Sequence, residues 1–415
     1  MSLPEIAPRS TELPGWQGLR NALVPSRASR DGTVAAGRDP RLDMFRGLAL
    51  IMIFINHVPG TIYETYTNRN FGFSDSAEAF VFMSGLAAGL AYSSAFLDGK
   101  NLWSAIARVW ARARYLYFVH IAVTMLCLAI FAGAALWFAM PVVLLKNNVE
   151  PVITQPLQAL IGIPLLTHQL GYLNILPLYA VLLLAAPIAF LIGLRRPWLM
   201  LGLSVALWVL AGQFRINLPN FPNSGGWFFN PFSWQLLFVI GLLSGMAMKR
   251  GQTFIPYNGA LYALAAAFLV FVLLWMKIPE LGTAGRAVLG MISKAGAPFY
   301  ITWFDKTYVA LPRLLHALAL FYVLGHMPAM LTLAQSRFAA PLRAMGRQGL
   351  AVFATGTVIS IFLQVVKTPR QPDPLFDGLI LGAGILVLLG LATLLNYTVA
   401  LRAKTAVSRP ATTTQ

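Results

Sequence analysis

Long apolar stretches alternate along the chain with short polar breaks, and this alternation predicts the architecture. A membrane span takes about 20 mostly apolar residues, within a range of about 17–25. Ten segments fit: 44–60, 76–96, 115–140, 172–193, 198–214, 231–248, 256–276, 309–331, 349–367 and 378–401. Pro59-Gly60, Pro141, Pro197, Pro219, Pro222, Pro231 and Pro341 punctuate their ends. The predicted fold is an all-α polytopic integral membrane protein with one transmembrane domain, 39–402. Residues 1–38 hold four prolines and five arginines but no apolar core of the sort a signal peptide needs. They read as a disordered basic cytoplasmic tail, with 403–415 as a second cytoplasmic tail and the first span as an uncleaved anchor.

Composition agrees with a lipid environment. The 415 residues are 58% hydrophobic and 11% charged, with a mean hydropathy of +0.68. The net charge of +17 does not form one basic patch, so nucleic acid is not an expected partner. Instead the basic residues sit in short clusters between apolar runs. With the N-terminus inside and ten spans, 21 of the 31 Lys and Arg fall on the cytoplasmic side and 10 outside. Every inner segment is then basic, which places both termini in the cytoplasm. The single cysteine, Cys127, lies in an apolar run, which excludes an intrachain disulfide and a multi-cysteine metal site. The outer loops 141–171 and 277–308 are long, and Gly282–Lys294 reads as an interfacial amphipathic helix. They suit either a docking surface or caps over the bundle.

The chemistry concentrates around His57. It lies roughly 20 Å along the first span from Met44 at 1.5 Å per residue, in the outer half of the bilayer. An imidazole on a lipid-embedded helix must face protein or water, and when neutral it can act as a general base. Asn56 beside it can orient a carbonyl or serve as helix-packing glue. Arg41, Asp43 and Arg46 form a charged collar at the inner end of the same helix. Asp75 and Glu78 have capping-box spacing at the start of the second span, and both also lie where they could orient His57 or hold a sugar. Ser84-Gly85 suggests close helix packing. Arg108 and Arg112 share a helix face beside Arg114 and suit phosphates, either of lipid headgroups or of a cofactor. His120, His316 and His326 are lone imidazoles without metal-ligand spacing, so no metal site is expected. Walker, Gly-x-Gly-x-x-Gly and Gly-x-Ser-x-Gly motifs are absent from the sequence.

Several segments in order carry a resemblance. Arg38-Asp-Pro-Arg-Leu-Asp-Met-Phe-Arg-Gly-Leu-Ala-Leu50, Phe54-Ile-Asn-His-Val-Pro-Gly60 and Asn70-Phe-Gly-Phe-Ser-Asp-Ser-Ala-Glu-Ala-Phe-Val-Phe-Met-Ser-Gly85 open the set. Gln169-Leu-Gly-Tyr-Leu-Asn-Ile-Leu-Pro-Leu-Tyr179, Trp227-Phe-Phe-Asn-Pro-Phe-Ser-Trp-Gln-Leu-Leu-Phe238, Asp305-Lys306-Thr307 and Gly346-Arg-Gln-Gly-Leu-Ala-Val-Phe353 complete it. From residue 38 to about 400 the chain resembles the OpgC family, which looks like a branch of the transmembrane acyltransferases. The resemblance implies a bacterial inner-membrane O-succinyltransferase. Its donor would be cytoplasmic succinyl-CoA, a substrate and not a resident cofactor, and its acceptor a glucose hydroxyl of an osmoregulated periplasmic glucan. It implies His57 as general base or acyl carrier, with Asn56 beside it, and Arg46, Arg108, Arg112 and Arg114 toward the CoA. Asp75, Glu78, Asn174, Trp234, Gln235, Asp305 and Lys306 become candidates for substrate contact, and Arg69 or Lys306 for the succinyl carboxylate. Membrane lipids are expected partners, and a homo-oligomer stays open. The alternative class is a membrane glycan exporter, which would need several charges well inside the spans.

Overall fold

The computed structural model describes residues 39–97 and 101–407. The predicted tails at 1–38 and beyond 407 lie outside the described residues. The described chain folds into helices α1 (Pro40–Asn56), α2 (Ser76–Leu97), α3 (Leu102–Trp137), α4 (Ile175–Gly193), α5 (Pro197–Phe214), α6 (Pro231–Lys249) and α7 (Gly259–Lys277). These continue as α8 (Pro279–Lys294), α9 (Leu311–His326), α10 (Pro328–Gln335), α11 (Ala340–Arg347), α12 (Gly349–Lys367) and α13 (Pro374–Val407), joined by shorter helical turns. The all-α membrane architecture expected from the hydropathy pattern is present.

Eight of the described helices are long and apolar enough to cross a bilayer. A ninth span forms if α9 and α10, bent by 71° at Pro328, are counted together. Pro328 breaks the helix because it has no N–H to donate and its ring crowds the preceding turn. Helix α1, the first of the ten expected spans, has 17 residues and carries Arg41, Asp43 and Arg46 in its opening turns. Several boundaries moved: α1 runs over Pro40–Asn56 where 44–60 was expected, which leaves His57 at its C-cap, and two others moved further. Helix α3 begins at Leu102, well before the expected 115, because Asn101 caps it and neither proline nor glycine interrupts its first turns. Helix α13 runs on to Val407, past the expected boundary at 402.

Helices α2 and α6 form the tightest pair in the bundle. Gly85 and Gly89 on α2 face Gly241 and Gly245 on α6. A methyl group on any of the four would fall on a backbone carbonyl of the opposite helix. Two small-xxx-small stripes thus let the backbones touch, which is how helices associate where lipid competes for apolar side chains. The same device, through Gly47 and Gly346, seats α1 against α11. Helix α8 is the expected amphipathic helix: Val288, Met291 and Ile292 stay exposed on it. The loop 141–174 folds inward as a cap, and the site lies beneath it.

Candidate active site

Helix α1 ends where His57 donates its N–H to the Ile53 carbonyl at 2.9 Å, and the Pro59-Gly60 step, with Gly60 at φ +81°, turns the chain away. The His57 ring therefore stands at the C-terminal end of α1. It lies in the wall of a cavity of about 790 Å³. Tyr172 packs on the imidazole with ring centroids 4.8 Å apart at 54°. The His57 carbonyl accepts from Gln364 Nε2 at 2.6 Å, and Gln364 Oε1 accepts from Asn147 Nδ2 at 2.6 Å. Thus α12 ties the end of α1 to the outer loop. Among the described residues, the ring nitrogens have no hydrogen-bond partner, which leaves them available to a ligand. Asn56 lines the same cavity, and its Oδ1 accepts from Thr67 Oγ1 at 2.8 Å.

The loop before α2 makes the second wall. Asp75 Oδ1 accepts from the Ala77 N–H at 2.8 Å, and the Asp75 N–H donates to Glu78 Oε2 at 2.9 Å. This is the capping arrangement expected from the spacing. The same two acids also hold cations: Lys306 Nζ is 2.5 Å from Asp75 Oδ2, and Arg313 bridges Glu78 Oε1 at 2.5 Å and Asp75 Oδ2 at 3.4 Å. Burial pushes the Asp75 carboxyl up, but Lys306 and Arg313 outweigh it and hold Asp75 well below the usual carboxylate range. The capping expected from the spacing coexists here with ion pairs that the sequence did not announce.

The third wall is rich in amides. Asn147, Asn148, Gln169 and Asn174 all line the cavity. Asn174 Nδ2 donates to Gln169 Oε1 at 3.0 Å, and Asn148 Nδ2 to the Gln169 carbonyl at 3.0 Å. Asn147, Asn148 and Tyr172 have φ of 53°, 65° and 70°. Asparagine tolerates this left-handed region, but tyrosine adopts it only under constraint. That constraint aims the Tyr172 ring at His57. Phe228, Phe229 and Phe73 add apolar ring faces, and Lys306 Nζ sits 5.6 Å from the Phe229 centroid. Amide dipoles interleaved with ring faces suit a ligand that has both hydroxyl edges and C–H faces.

Four residues expected to touch substrate do not line the cavity: Glu78, wholly buried and held by Arg313, and Trp234, Asp305 and Gln235. Trp234 is fully buried and donates its indole N–H to the Lys306 carbonyl at 3.0 Å, so it positions the Lys306 loop. Asp305 caps that loop by accepting from the Tyr308 N–H at 2.8 Å. Gln235 bonds to Ser204 on α5 through both ends of its amide. Arg313, Thr307, Tyr172 and Asn147 line the cavity and were not singled out. No local sequence signal marks Arg313, which lies 235 positions from Glu78.

The inner arginines divide into two pairs. Arg46 donates to the Met83 carbonyl at 3.3 Å and lies 4.0 Å from Asp43. Arg46 is half-buried, and the half-buried Arg112 stands 5.4 Å from the Tyr115 ring centroid. Arg108 and Arg114 are exposed. Along α1, Arg46, Leu50, Ile53 and His57 share one face, about 16 Å from end to end at 1.5 Å per residue. Ile53, Ala77, Ile175 and Phe353 line the cavity as its apolar part, and Phe353 meets Phe80 with ring centroids 5.5 Å apart.

No curated protein matches the chain. The family described as OpgC protein matches residues 38–398, nearly the whole of the helical domain. This multi-pass helical chain, with a polar cavity beside His57, therefore belongs to the OpgC family, with the general acyltransferase role of that family.

Proposed function

We propose that the protein is an inner-membrane O-succinyltransferase that moves a succinyl group from cytoplasmic succinyl-CoA to glucose hydroxyls of periplasmic glucans. The observation that supports this reading most is the half-buried His57 ring, its nitrogens unengaged among the described residues, in a large cavity lined by amides and aromatic faces. The cavity suits a sugar, and His57 suits removal of a hydroxyl proton. In this reading the spans number ten, both termini are cytoplasmic, and the cavity opens to the periplasm. The CoA phosphates lie toward the cytoplasmic face, where Arg46 and Arg112 are half-buried and Arg108 and Arg114 stand exposed. The pantetheine arm reaches upward along the Arg46–His57 face of α1, which requires Phe80 and Phe353 to part. His57 takes the proton of a glucose hydroxyl as its oxygen attacks the thioester carbonyl, and Asn56 steadies the oxyanion. Arg69 lines the cavity, 3.3 Å from Glu64, and is the cation offered to the succinyl carboxylate in exchange for that partner. A glycan exporter would need a polar path across the bilayer, whereas Ile53, one turn before His57, lines this cavity with the apolar Ala77, Ile175 and Phe353.

The test is direct. Purified protein incubated with labelled succinyl-CoA and glucan should yield labelled glucan. His57→Ala should lower the rate by about 100-fold or more, the usual scale for a lost general base. Undiminished transfer by a folded His57→Ala protein would remove His57 from the chemistry. Transport of glucan without acylation would remove the enzyme reading.

A further inference from the structure

We propose that Ser74 and His316 form a second catalytic pair in the cavity, in which Ser74 accepts the acyl group before the sugar receives it. The proposal rests on the acyltransferase reading above and adds a covalent carrier to it. Ser74 lies on the loop before α2, and His316 lies on α9. Both are buried, with exposures of 3% and 7%, and Ser74 lines the cavity that His57 faces.

The hydrogen bonds fix the roles. Ser74 Oγ is 2.7 Å from His316 Nδ1, and the Ser74 backbone N–H donates to the same nitrogen at 3.3 Å. A backbone N–H can only donate, so Nδ1 carries a lone pair and the ring proton of the neutral imidazole sits on Nε2. The Ser74 hydroxyl must then donate to Nδ1. A serine hydroxyl donating to an imidazole lone pair is the arrangement of an activated nucleophile and its base. The site is built for this contact: at Gly72 any Cβ would fall on the His316 ring, and Phe73 lies 6.1 Å from it, centroid to centroid. One turn before His316, Arg313 is locked to Glu78 and Asp75, which fastens α9 to the start of α2.

A carrier resolves a difficulty of the direct mechanism, in which a bulky cytoplasmic donor and a bulky periplasmic acceptor must meet at one carbon. In the first half, Ser74 Oγ bonds to the acyl carbonyl carbon while its proton passes to His316 Nδ1. The C–S bond breaks, and the CoA thiolate leaves with that proton as free thiol. An acyl-serine ester remains, and the donor withdraws. In the second half, a glucose hydroxyl gives its proton to His57, and its oxygen bonds to the ester carbonyl. The C–Oγ bond breaks, and Ser74 regains its proton from the His57 imidazolium. The sum is thioester plus alcohol giving ester plus thiol.

The experiment uses the full chain in detergent with labelled succinyl-CoA and no glucan, followed by denaturation and peptide mass spectrometry. His57→Ala, which blocks the second half, should accumulate succinyl ester on Ser74. Ser74→Ala should lose both the label and glucan transfer, and Ser74→Cys should carry the label as a hydroxylamine-sensitive thioester. Monodisperse elution of each variant separates lost chemistry from lost folding. If Ser74→Ala misfolds, the label position in His57→Ala and Ser74→Cys decides the matter. Ser74→Ala that transfers as fast as the wild type, or a label on another residue or on none, overturns the carrier while leaving the acyltransferase reading intact. A wild-type protein that acylates no glucan removes both.

Discussion

At the residue scale, the charges around the cavity do two jobs. Glu78 is wholly buried and its compensating charge is Arg313, whose side chain is 12% exposed. Removing one partner of such a pair leaves a buried charge uncompensated, at a cost of about 3–5 kcal/mol. Arg313→Leu should therefore lower the thermal stability of the purified protein sharply, and Glu78→Gln in the same chain should recover part of it. Asp75 sets the acid limb. Its folded carboxyl titrates well below its ordinary value of 3.8, through Lys306 and Arg313 acting against burial. A group lowered on folding contributes stability that is fully present above its unfolded value and is lost as pH falls through the folded one. Asp75 thus contributes nothing to any change in melting temperature between about pH 8 and pH 5, and its share is lost below about pH 4. Lys306→Met should shift that loss to higher pH, because burial then acts on Asp75 with one cation fewer; an unchanged acid limb would show that the pair does not form. The sequence made Asp75, Glu78 and Lys306 visible as candidates, but gave no sign that Arg313 joins them. Arg313 is 235 positions from Glu78, and nothing local marks the pairing.

At the element scale, the bundle depends on bare backbone meeting bare backbone. Gly245 faces the Leu86 carbonyl so closely that a methyl has no room. Gly245→Ala should cost about 1–3 kcal/mol or more, as overpacking does. Gly202→Ala on α5, where no atom lies near the added carbon, is the matched control. Melting of the two variants in the same detergent checks it, and equal melting would sink the close-contact account. Ser84-Gly85 was legible as a packing signal, since small residues in an apolar helix have few other uses. Its partner stripe on α6 was not assigned, because helix pairing is not written in the periodicity of either helix. The long α3 shows a complementary limit. Hydropathy marks where lipid begins, not where hydrogen bonding does, so the predicted span opens at 115 although Asn101 starts the helix well before it, as the shared helix face of Arg108 and Arg112 hints.

At the scale of the whole molecule, the proposed sidedness is open to a simple test. Cys127 is fully buried, so it offers little background to thiol reagents. Lys146→Cys should react with a membrane-impermeant maleimide in intact spheroplasts, whereas Arg195→Cys should react only after permeabilisation. The reverse pattern would place the His57 cavity in the cytoplasm and overturn the proposed route of both substrates. Sequence alone determined that the chain is helical and membrane-embedded, that His57 stands near one end of its first helix, and that the family motifs run through nearly the whole domain. These follow from runs of apolar residues, from 1.5 Å of rise per residue and from local spacing, all of which are near-neighbour properties. Tertiary structure decided which motif residues reach the cavity and which, like Trp234 and Gln235, stand behind it. It also decided that Tyr172 leans on His57, and that Ser74 meets His316 across 242 positions. Those contacts are set by how helices pack and loops fold back, and packing is a property of surfaces brought together, which no stretch of sequence carries by itself.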